Sequence, residues 1–383
     1  MSVYLDYNAS APIDLRVLDT MVEIYKNNVG NADSRTHCFG ENARAVVEHA
    51  RGQVAHLFGV STSEVYFTSG ATESNNIAIQ GLKEYAEKSN KRHIITTAIE
   101  HKAVLETIKY MASQGYEVDI IAPDLSGRVD ANVILDKVRD DTLLVSVMHV
   151  NNETGIIQPV TELGEELCRR DVLFHVDATQ SSGKLVEEIR GLRYSMLSFS
   201  AHKMMGPQGI GGLILRRKSY KIPPIRAIIL GGQQEGGIRP GTIPVALTAG
   251  CGKACEIAEN EYKKNAVHVY AIKEKIMAEL NNSGIEFHIN GNQEYCMGNT
   301  LNVCFTGVSS EALMISTKQY CGLSNGSACT SKSYSPSYVL AAMGIPLVQI
   351  ENSVRISWGP DTLEDYMVDN FRNMLKVAKE IKN

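Results

Sequence analysis

The sequence lacks the features that mark several large classes of protein. No apolar run approaches the length needed to span a membrane, and the N-terminus reaches the charged Asp6 before an apolar segment can form, so we expect no membrane anchor and no signal peptide. The net charge of -5 over 383 residues gives no field that would attract nucleic acid or an anionic membrane. We therefore expect a cytoplasmic protein that contacts neither directly.

Cysteine pairs with the spacing of a metal site are also missing. The 8 cysteines are spread over the whole chain and none forms a Cys-x-x-Cys pair, which argues against a secreted disulfide framework. Cys251 and Cys255 lie four residues apart in an expected helix, but no second pair of ligands accompanies them. This favours ordinary packing, and we expect no metal ion.

Two familiar nucleotide-binding loops are absent as well. Neither GxxxxGK[ST] nor GxGxxG follows the apolar strand that begins near Glu64; a Ser-Gly-Ala-Thr turn and a helix start follow it instead. Small side chains such as that of Ala71 would let an anion approach the free amides of the first helical turn, and Thr72 would add a hydroxyl. The turn therefore favours a cofactor phosphate, and a helix cap without a ligand is the alternative.

The stretch from 173 to 214 offers an acid and an amine. Asp177 and Lys203 each follow a short apolar strand, where an idle charge would be costly to bury. A lysine there can form a Schiff base and an aspartate can hold a pyridine nitrogen protonated, which are the two roles that pyridoxal phosphate requires. A structural Asp–Lys ion pair is the alternative.

Polar residues near this pair extend the same interpretation. Gln180 comes three residues after the aspartate, where it could reach a ring hydroxyl, and Ser200 and His202 flank the lysine, where they could donate to a phosphate. Two earlier strands end on polar residues too, at His101 and at Asn152. His101 could stack on a flat ring and exchange protons with the substrate as a catalytic residue, and Asn152 could touch the cofactor ring or the substrate. A histidine that is only hydrogen-bonded is the alternative for His101. The ends of parallel strands open on one edge of a sheet, so we expect all these groups to converge there.

The C-terminal part predicts a second, smaller domain. We expect a large domain at 15–260, and a small α+β domain formed by 1–14 and 261–383. Its polar loop at 324–336 carries Cys329, whose exposed thiol would be available as the reactive thiolate. Arg355, on a short strand, has a fork suited to a substrate carboxylate, and a surface salt bridge is the alternative.

Seven motifs, in order along the chain, together resemble those of cysteine desulfurases. The motifs are residues 69–75, 100–101, 151–155, 175–180, 200–203, 239–242 and 324–331. The resemblance extends over essentially the whole chain. It implies a fold-type I pyridoxal-phosphate-dependent transferase of the first desulfurase group, in which a mostly parallel seven-stranded sheet forms the large domain of a homodimer.

The resemblance also implies a role for each motif residue. Lys203 would be the Schiff-base lysine, Asp177 would pair with the pyridine nitrogen, Gln180 would contact the ring oxygen, and His101 would stack on the ring. The expected phosphate ligands are Ala71, Thr72, Ser200, His202 and, from the other subunit, Thr242 in a glycine-rich arm at 230–242. Asn152 and Arg355 would orient the substrate, and Cys329 would be the nucleophile.

The implied reaction converts L-cysteine to L-alanine and leaves a persulfide on Cys329 for an acceptor protein. The chain ends soon after its last helix, whereas housekeeping members have a longer tail, so DNA phosphorothioation stands beside iron–sulfur cluster assembly and tRNA thiolation as the pathway served. Other readings stay open: a selenocysteine lyase or another class V enzyme, and a sulfur-relay subunit without catalysis.

Overall fold

Strands and helices alternate along the chain in the computed structural model, which describes residues 2–325 and 336–382. The strands are β1 (Val3–Tyr4), β2 (Val65–Thr68), β3 (His93–Thr97), β4 (Glu117–Ile121), β5 (Thr142–Met148), β6 (Leu173–Asp177), β7 (Met196–Ser200), β8 (Gly211–Leu215), β9 (Phe287–Ile289), β10 (Thr300–Phe305), β11 (Cys321–Gly322) and β12 (Ser353–Ser357). The helices are α1 (Leu15–Asn27), α2 (Cys38–Phe58), α3 (Ala71–Gln80), α4 (Lys83–Ser89), α5 (Lys102–Ser113), α6 (Ala131–Asp136), α7 (Val160–Arg169), α8 (Val186–Gly191), α9 (Val245–Asn282), α10 (Ser310–Thr317), α11 (Tyr338–Ala342), α12 (Leu347–Glu351) and α13 (Glu364–Glu380).

The larger sheet has seven strands in the order β2-β8-β7-β6-β5-β3-β4. Strands β7, β6, β5, β3 and β4 pair in parallel, whereas β8 runs antiparallel to both of its neighbours. Strand β2 therefore points the same way as the parallel set. The prediction of a mostly parallel seven-stranded sheet is confirmed.

Helices cover both faces of this sheet, which explains why its strands are continuous apolar runs. On one face, Val54 of α2, Leu163 of α7 and Cys255 of α9 pack in one hydrophobic core. On the other, Ile77 of α3 and Ile108 of α5 pack in a second core. The buried sheet is thus a rigid platform for the loops at its edge.

A smaller three-stranded antiparallel sheet, β12-β10-β9, forms the C-terminal part of the molecule. In its core, Trp358, which follows β12, and Phe371 of α13 pack with Val3 and Leu5 from the N-terminus. Strand β1 pairs in parallel with β11, so the N-terminal residues pack with the C-terminal part. The chain then passes from β1 directly to the edge of the large sheet.

Helix α9 connects the two cores. It has 38 residues and so is about 57 Å long at 1.5 Å per residue. Its first half contributes Cys251 to the core of the large sheet, and its second half contributes Ile276 to the C-terminal core. Among the described helices, none is both long and apolar enough to cross a bilayer.

Candidate active site

Five polar strand ends meet along one edge of the large sheet. Strands β2, β7, β6, β5 and β3 run in the same direction, and their C-terminal ends lead to the start of α3, to Lys203, to Asp177, to Asn152 and to His101. Strands β6 and β7 are neighbours, which brings the acid and the amine to adjacent positions. The site residues predicted at these strand ends therefore share one edge of the sheet.

The carboxylate of Asp177 is fixed from two sides. Asp177 is the last residue of β6 and is only 5% exposed. Its Oδ2 accepts a hydrogen bond from Asn75 Nδ2 at 2.8 Å, and its Oδ1 accepts one from the Thr179 N–H at 3.0 Å. Asn75 comes from α3, whose first turn contains Ala71 and Thr72 and forms, with Ser200 and His202, the predicted phosphate site, here called the anion cradle. The helix that begins at this cradle therefore also orients the carboxylate of Asp177. A buried carboxylate with neutral donors keeps its charge available to a cationic ring nitrogen.

His101 caps the N-terminus of α5. Its Nδ1 accepts the Ala103 N–H at 3.1 Å, so the proton of the neutral ring lies on Nε2. Burial lowers the pKa of His101, and the carboxylate of Asp177 opposes this only in part. The ring is therefore neutral near pH 7 and can stack on another flat ring.

The amine of Lys203 lies against the N-terminal loop. It donates to the backbone oxygens of Asn8 at 2.5 Å and Ala9 at 2.7 Å. Gln180 Nε2 donates to the same Asn8 oxygen at 3.0 Å, which leaves the buried Gln180 Oε1 to accept a hydrogen bond from a ring hydroxyl. One main-chain carbonyl thus positions two of the predicted site residues.

The anion cradle forms where α3 begins. Gly70 has a φ of 150°, and a β-carbon built there would lie 3.5 Å from Ser200 Oγ, so the end of β7 closely approaches the first turn of the helix. Ala71 and Thr72 follow in that turn. His202 Nδ1 lies 3.2 Å from Ser10 Oγ, and burial, together with the charges of Lys203 and Lys184, lowers the pKa of His202 to about 4.

Arg355 is hydrogen-bonded to the main chain of Asn152. The Arg355 Nη1 donates to the Asn152 backbone oxygen at 2.9 Å, and its Nη2 pairs with Asp6 Oδ1 at 2.6 Å. Arg355 is 4% exposed, so it forms no surface salt bridge. Among the described residues its Nε and the Asn152 Oδ1 have no partner, which leaves a donor and an acceptor for a substrate.

The glycine-rich arm reaches the cradle through one ion pair. Arg239 Nε donates to Glu73 Oε1 of α3 at 3.0 Å. Thr242 follows on the same segment and is exposed to solvent. Among the described residues, no backbone hydrogen bond links Thr242 to the cradle of its own subunit. Its predicted role toward a second subunit stays a prediction.

Cys329 lies outside the described residues, as does most of its predicted loop. The two flanks of that loop are described, and both meet the site. Ser324 exchanges backbone hydrogen bonds with Arg355 at 3.3 and 2.6 Å. On the other side, the Tyr338 hydroxyl donates to the Glu100 backbone oxygen, next to His101, at 2.7 Å.

Several residues that shape the site were not predicted from the sequence. They are Asp6, Asn8, Asn75 and Glu100. The polar run that follows β1, Asp6 to Asn8, was the one available signal, because an extended apolar start seldom turns polar without a partner for those groups. Asn75 lies on a buried helical face, where an amide needs a specific acceptor.

The arrangement fits pyridoxal phosphate. The described residues leave buried acceptors without partners around the site, at Asn8 Oδ1, Asn75 Oδ1, Asn152 Oδ1 and Gln180 Oε1. Such atoms are costly unless a ligand or water satisfies them. With an acid, an amine, a neutral imidazole and an anion cradle on one edge, the residues offer a partner for each part of that cofactor.

The comparisons with known proteins agree with this geometry. Residues 3–366 match the aminotransferase class-V family. The cysteine desulfurase IscS of Colwellia psychrerythraea is 43% identical over 376 residues, covering 96% of this chain and 91% of its own length.

Solved structures give the same answer. A structure titled NifS-like protein superposes with a TM-score of 0.90 at 37% identity and covers 99% of this chain and 100% of its own. DndA from Streptomyces lividans superposes with a TM-score of 0.81 at 40% identity, covering 92% and 98%. The chain therefore belongs to the class V aminotransferases and, within them, to the pyridoxal-phosphate-dependent cysteine desulfurases.

Proposed function

We propose that this chain converts L-cysteine to L-alanine, holds the released sulfur as a persulfide on Cys329 and passes it to an acceptor protein. The observation that carries the proposal is the convergence of Asp177, Lys203 and His101 at strand ends along one edge of the sheet, each with its charge or proton fixed by a named partner. Membership of the desulfurases supplies the reaction, and the residues supply the roles.

Pyridoxal phosphate, when bound, supplies an electron sink for the pair left behind when the substrate loses its Cα proton. Lys203 would hold the group covalently, and its freed amine would then take the Cα proton. The carbonyl oxygens of Asn8 and Ala9 are positioned to hold the resulting ammonium. Asp177 would keep the ring nitrogen protonated, and His101 would cover the ring.

The remaining roles concern orientation. The start of α3 with Ala71 and Thr72, together with Ser200 and His202, would hold the phosphate. Gln180 would accept from the ring hydroxyl. The free Nε of Arg355 and the free Oδ1 of Asn152 would bind the carboxylate and the amino group of the substrate.

The sulfur transfer is balanced without an added oxidant. The Cys329 thiolate attacks the substrate sulfur, the S–S bond forms, and the Cβ–S bond breaks with its electron pair left on the carbon side. Cβ then gains a proton and Cα regains the one it lost, which gives alanine. The carbon is reduced as the transferred sulfur is oxidised. A nucleophile followed by Thr330, Ser331 and Lys332, in a polar loop, suits a group that must also meet an acceptor.

We further propose that the chain works as a homodimer. Helix α1 carries an exposed apolar stripe at helical spacing, with Leu15 at 72%, Leu18 at 39%, Val22 at 39% and Tyr25 at 67% exposure. Contiguous exposed apolar surface of this kind favours a protein interface. Thr242, exposed at the end of the arm, is then the residue offered to the phosphate of the second subunit.

The domain division, compartment and pathway are part of the same proposal. Residues 15–260 would form the cofactor domain, and 1–14 with 261–383 the domain that carries the Cys329 loop. The seven described cysteines are free thiols, which suits the reducing cytoplasm. The acceptor would belong to iron–sulfur assembly, tRNA thiolation or DNA phosphorothioation, and the acidic net charge favours contact with a protein over DNA or a membrane.

Two substitutions separate cofactor binding from sulfur transfer. Cys329→Ala should keep the visible absorbance of the bound cofactor and lose sulfide release from L-cysteine with a reductant. Lys203→Ala should lose the cofactor that borohydride fixes to the chain. A Cys329→Ala protein with full sulfide release would refute the proposed nucleophile.

A further inference from the structure

A second lysine lies behind Lys203. Lys184, in the turn after β6, lines with Lys203 a cavity of about 150 Å³ between the N-terminal segment, α9 and the C-terminal part. The walls are largely apolar and include Ile257, Ala258 and Trp358. Lys184 is half-buried, and its Nζ donates to the Gln180 backbone oxygen at 3.0 Å.

No opposite charge compensates this amine. Within residues 2–325 and 336–382, no carboxylate lies within ion-pair distance of Lys184. Asp14, which also lines the cavity, is paired with Arg16 at 2.7 Å. Even a half-buried cation costs free energy when its one partner is neutral, so its presence beside a reactive amine calls for a reason.

The other titratable groups around the cavity do not supply that charge either. The Tyr7 hydroxyl donates to Asp361 at 2.6 Å, and the Tyr262 hydroxyl donates to Glu187 at 2.5 Å. His202, beside Lys203, is held neutral. The charged group that acts on Lys184 across this cavity is therefore the amine of Lys203, and like charges repel.

We propose that Lys184 is a positioning residue whose positive charge disfavours a proton on the Lys203 nitrogen. A lysine beside another cation is a known way to keep an amine neutral and nucleophilic. The inference rests on the proposed function, because it concerns the nitrogen that would hold the cofactor. Burial and then the charge of Lys203 lower the pKa of Lys184 to about 7.

The test uses the visible absorbance of the bound cofactor, which reports the protonation of its nitrogen link to Lys203. The holoenzyme is titrated with pH as wild type, Lys184→Met and Lys184→Arg. In Lys184→Met, which lacks the charge, the pH midpoint of the absorbance change should rise by about one unit. In Lys184→Arg, whose charge is permanent, the midpoint should fall by a similar amount. The adjoining cavity gives the larger guanidinium room.

Opposite shifts distinguish an electrostatic role from a structural one. Lys253→Met is the matched control, since Lys253 is paired with Glu256 on α9, and its midpoint should equal that of the wild type. Equal midpoints in Lys184→Met and wild type, or shifts of one sign in both Lys184 variants, would overturn the inference. If Lys184→Met does not fold, Lys184→Gln serves in its place, judged by circular dichroism.

The two levels of the proposal fail differently. A wild-type protein in which borohydride fixes no cofactor to Lys203 would overturn the proposed role of Lys203, and this inference with it. Normal fixation with unmoved midpoints would overturn only the role of Lys184.

Discussion

Glu100 is a buried carboxyl residue that directly precedes His101 in the sequence. Its Oε1 accepts hydrogen bonds from Thr97 Oγ1 at 2.7 Å and the Met148 N–H at 2.9 Å, whereas its Oε2 has no partner among the described residues. Burial raises the pKa of Glu100 to about 8, and the carboxylate of Asp177 adds to this. At neutral pH the side chain is therefore a neutral acid.

This protonation predicts a pH-dependent stability difference. In the unfolded chain Glu100 ionises near its ordinary pKa of 4.5, so the folded protein binds the extra proton and loses stability as pH rises from 4.5 to about 8. Glu100→Gln keeps the neutral shape and removes this loss. Measured by urea unfolding, the free energy of unfolding of the variant relative to wild type should rise by roughly 3 to 5 kcal/mol across that range.

Glu106→Gln is the matched control, because Glu106 is exposed and pairs only with Lys109. Its difference from wild type should stay within about 0.5 kcal/mol at every pH. A flat profile for Glu100→Gln would show that Glu100 is ionised in the folded protein.

Asn8 gives a second prediction for a single residue. Its Nδ2 donates to Thr300 Oγ1 at 2.9 Å, which holds the carbonyl that receives Lys203 and Gln180. Asn8→Ala should cost about 1 to 3 kcal/mol of unfolding free energy and lower kcat roughly tenfold while the cofactor stays bound.

Steady-state alanine formation and urea unfolding measure both effects. Asn27→Ala, on the exposed face of α1, is the control and should change neither. An Asn8→Ala enzyme with the wild-type kcat would show that the Asn8 carbonyl does not position Lys203.

At this scale the sequence identified side chains whose chemistry is specific to their type. Asp177, Lys203 and His101 follow apolar strands, and their convergence follows from the parallel order of the sheet. Asn8 acts through its backbone oxygen, which every residue type has, so no pattern could single it out. Lys184 is part of an ordinary polar turn in the sequence, and its cavity exists only in the folded chain.

Among the elements, the regular helices and strands were predictable, whereas the anchor of the glycine-rich arm was not. Apolar residues at helical spacing follow Pro12 and predict a helix near residues 15–26, where the structure has α1. The glycine-rich segment gave no period, yet Glu235 at its centre is buried, with its φ at 48°. Its carboxylate accepts from Arg51 at 2.7 Å and from the Phe67 N–H at 2.7 Å.

This ion pair joins residues 184 positions apart, which is why local sequence could not reveal it. The side chains of Arg51 and Glu235 are 12% and 2% exposed. Arg51→Met leaves a buried carboxylate without its cation and should cost about 3 to 5 kcal/mol of unfolding free energy.

Arg139→Met is the matched control for the anchor of the arm. Arg139 pairs with Glu117 and Asp141 on the surface, where an ion pair contributes less than about 1 kcal/mol. Equal losses of stability in the two variants, measured by urea unfolding, would mean that the Arg51–Glu235 pair does not anchor the arm.

For the whole molecule, the stripe on α1 predicts assembly. Replacing both Leu15 and Tyr25 by glutamate should place charge in the interface and shift the protein from dimer to monomer in analytical ultracentrifugation at micromolar concentration. Leu125→Glu, equally exposed at 69% but outside the stripe, should leave the dimer intact. A doubly substituted protein that stays dimeric would exclude α1 as the interface.

The central claim is that sulfur leaves L-cysteine for Cys329, and one measurement tests it directly. The purified holoenzyme is mixed with L-cysteine without an acceptor, alanine is quantified, and added sulfur is located by mass spectrometry in wild type and in Cys329→Ser. We predict one alanine for each extra sulfur, with that sulfur on the Cys329 peptide and neither product in the variant. Alanine formed with no sulfur on Cys329, or formed equally by Cys329→Ser, would contradict the account.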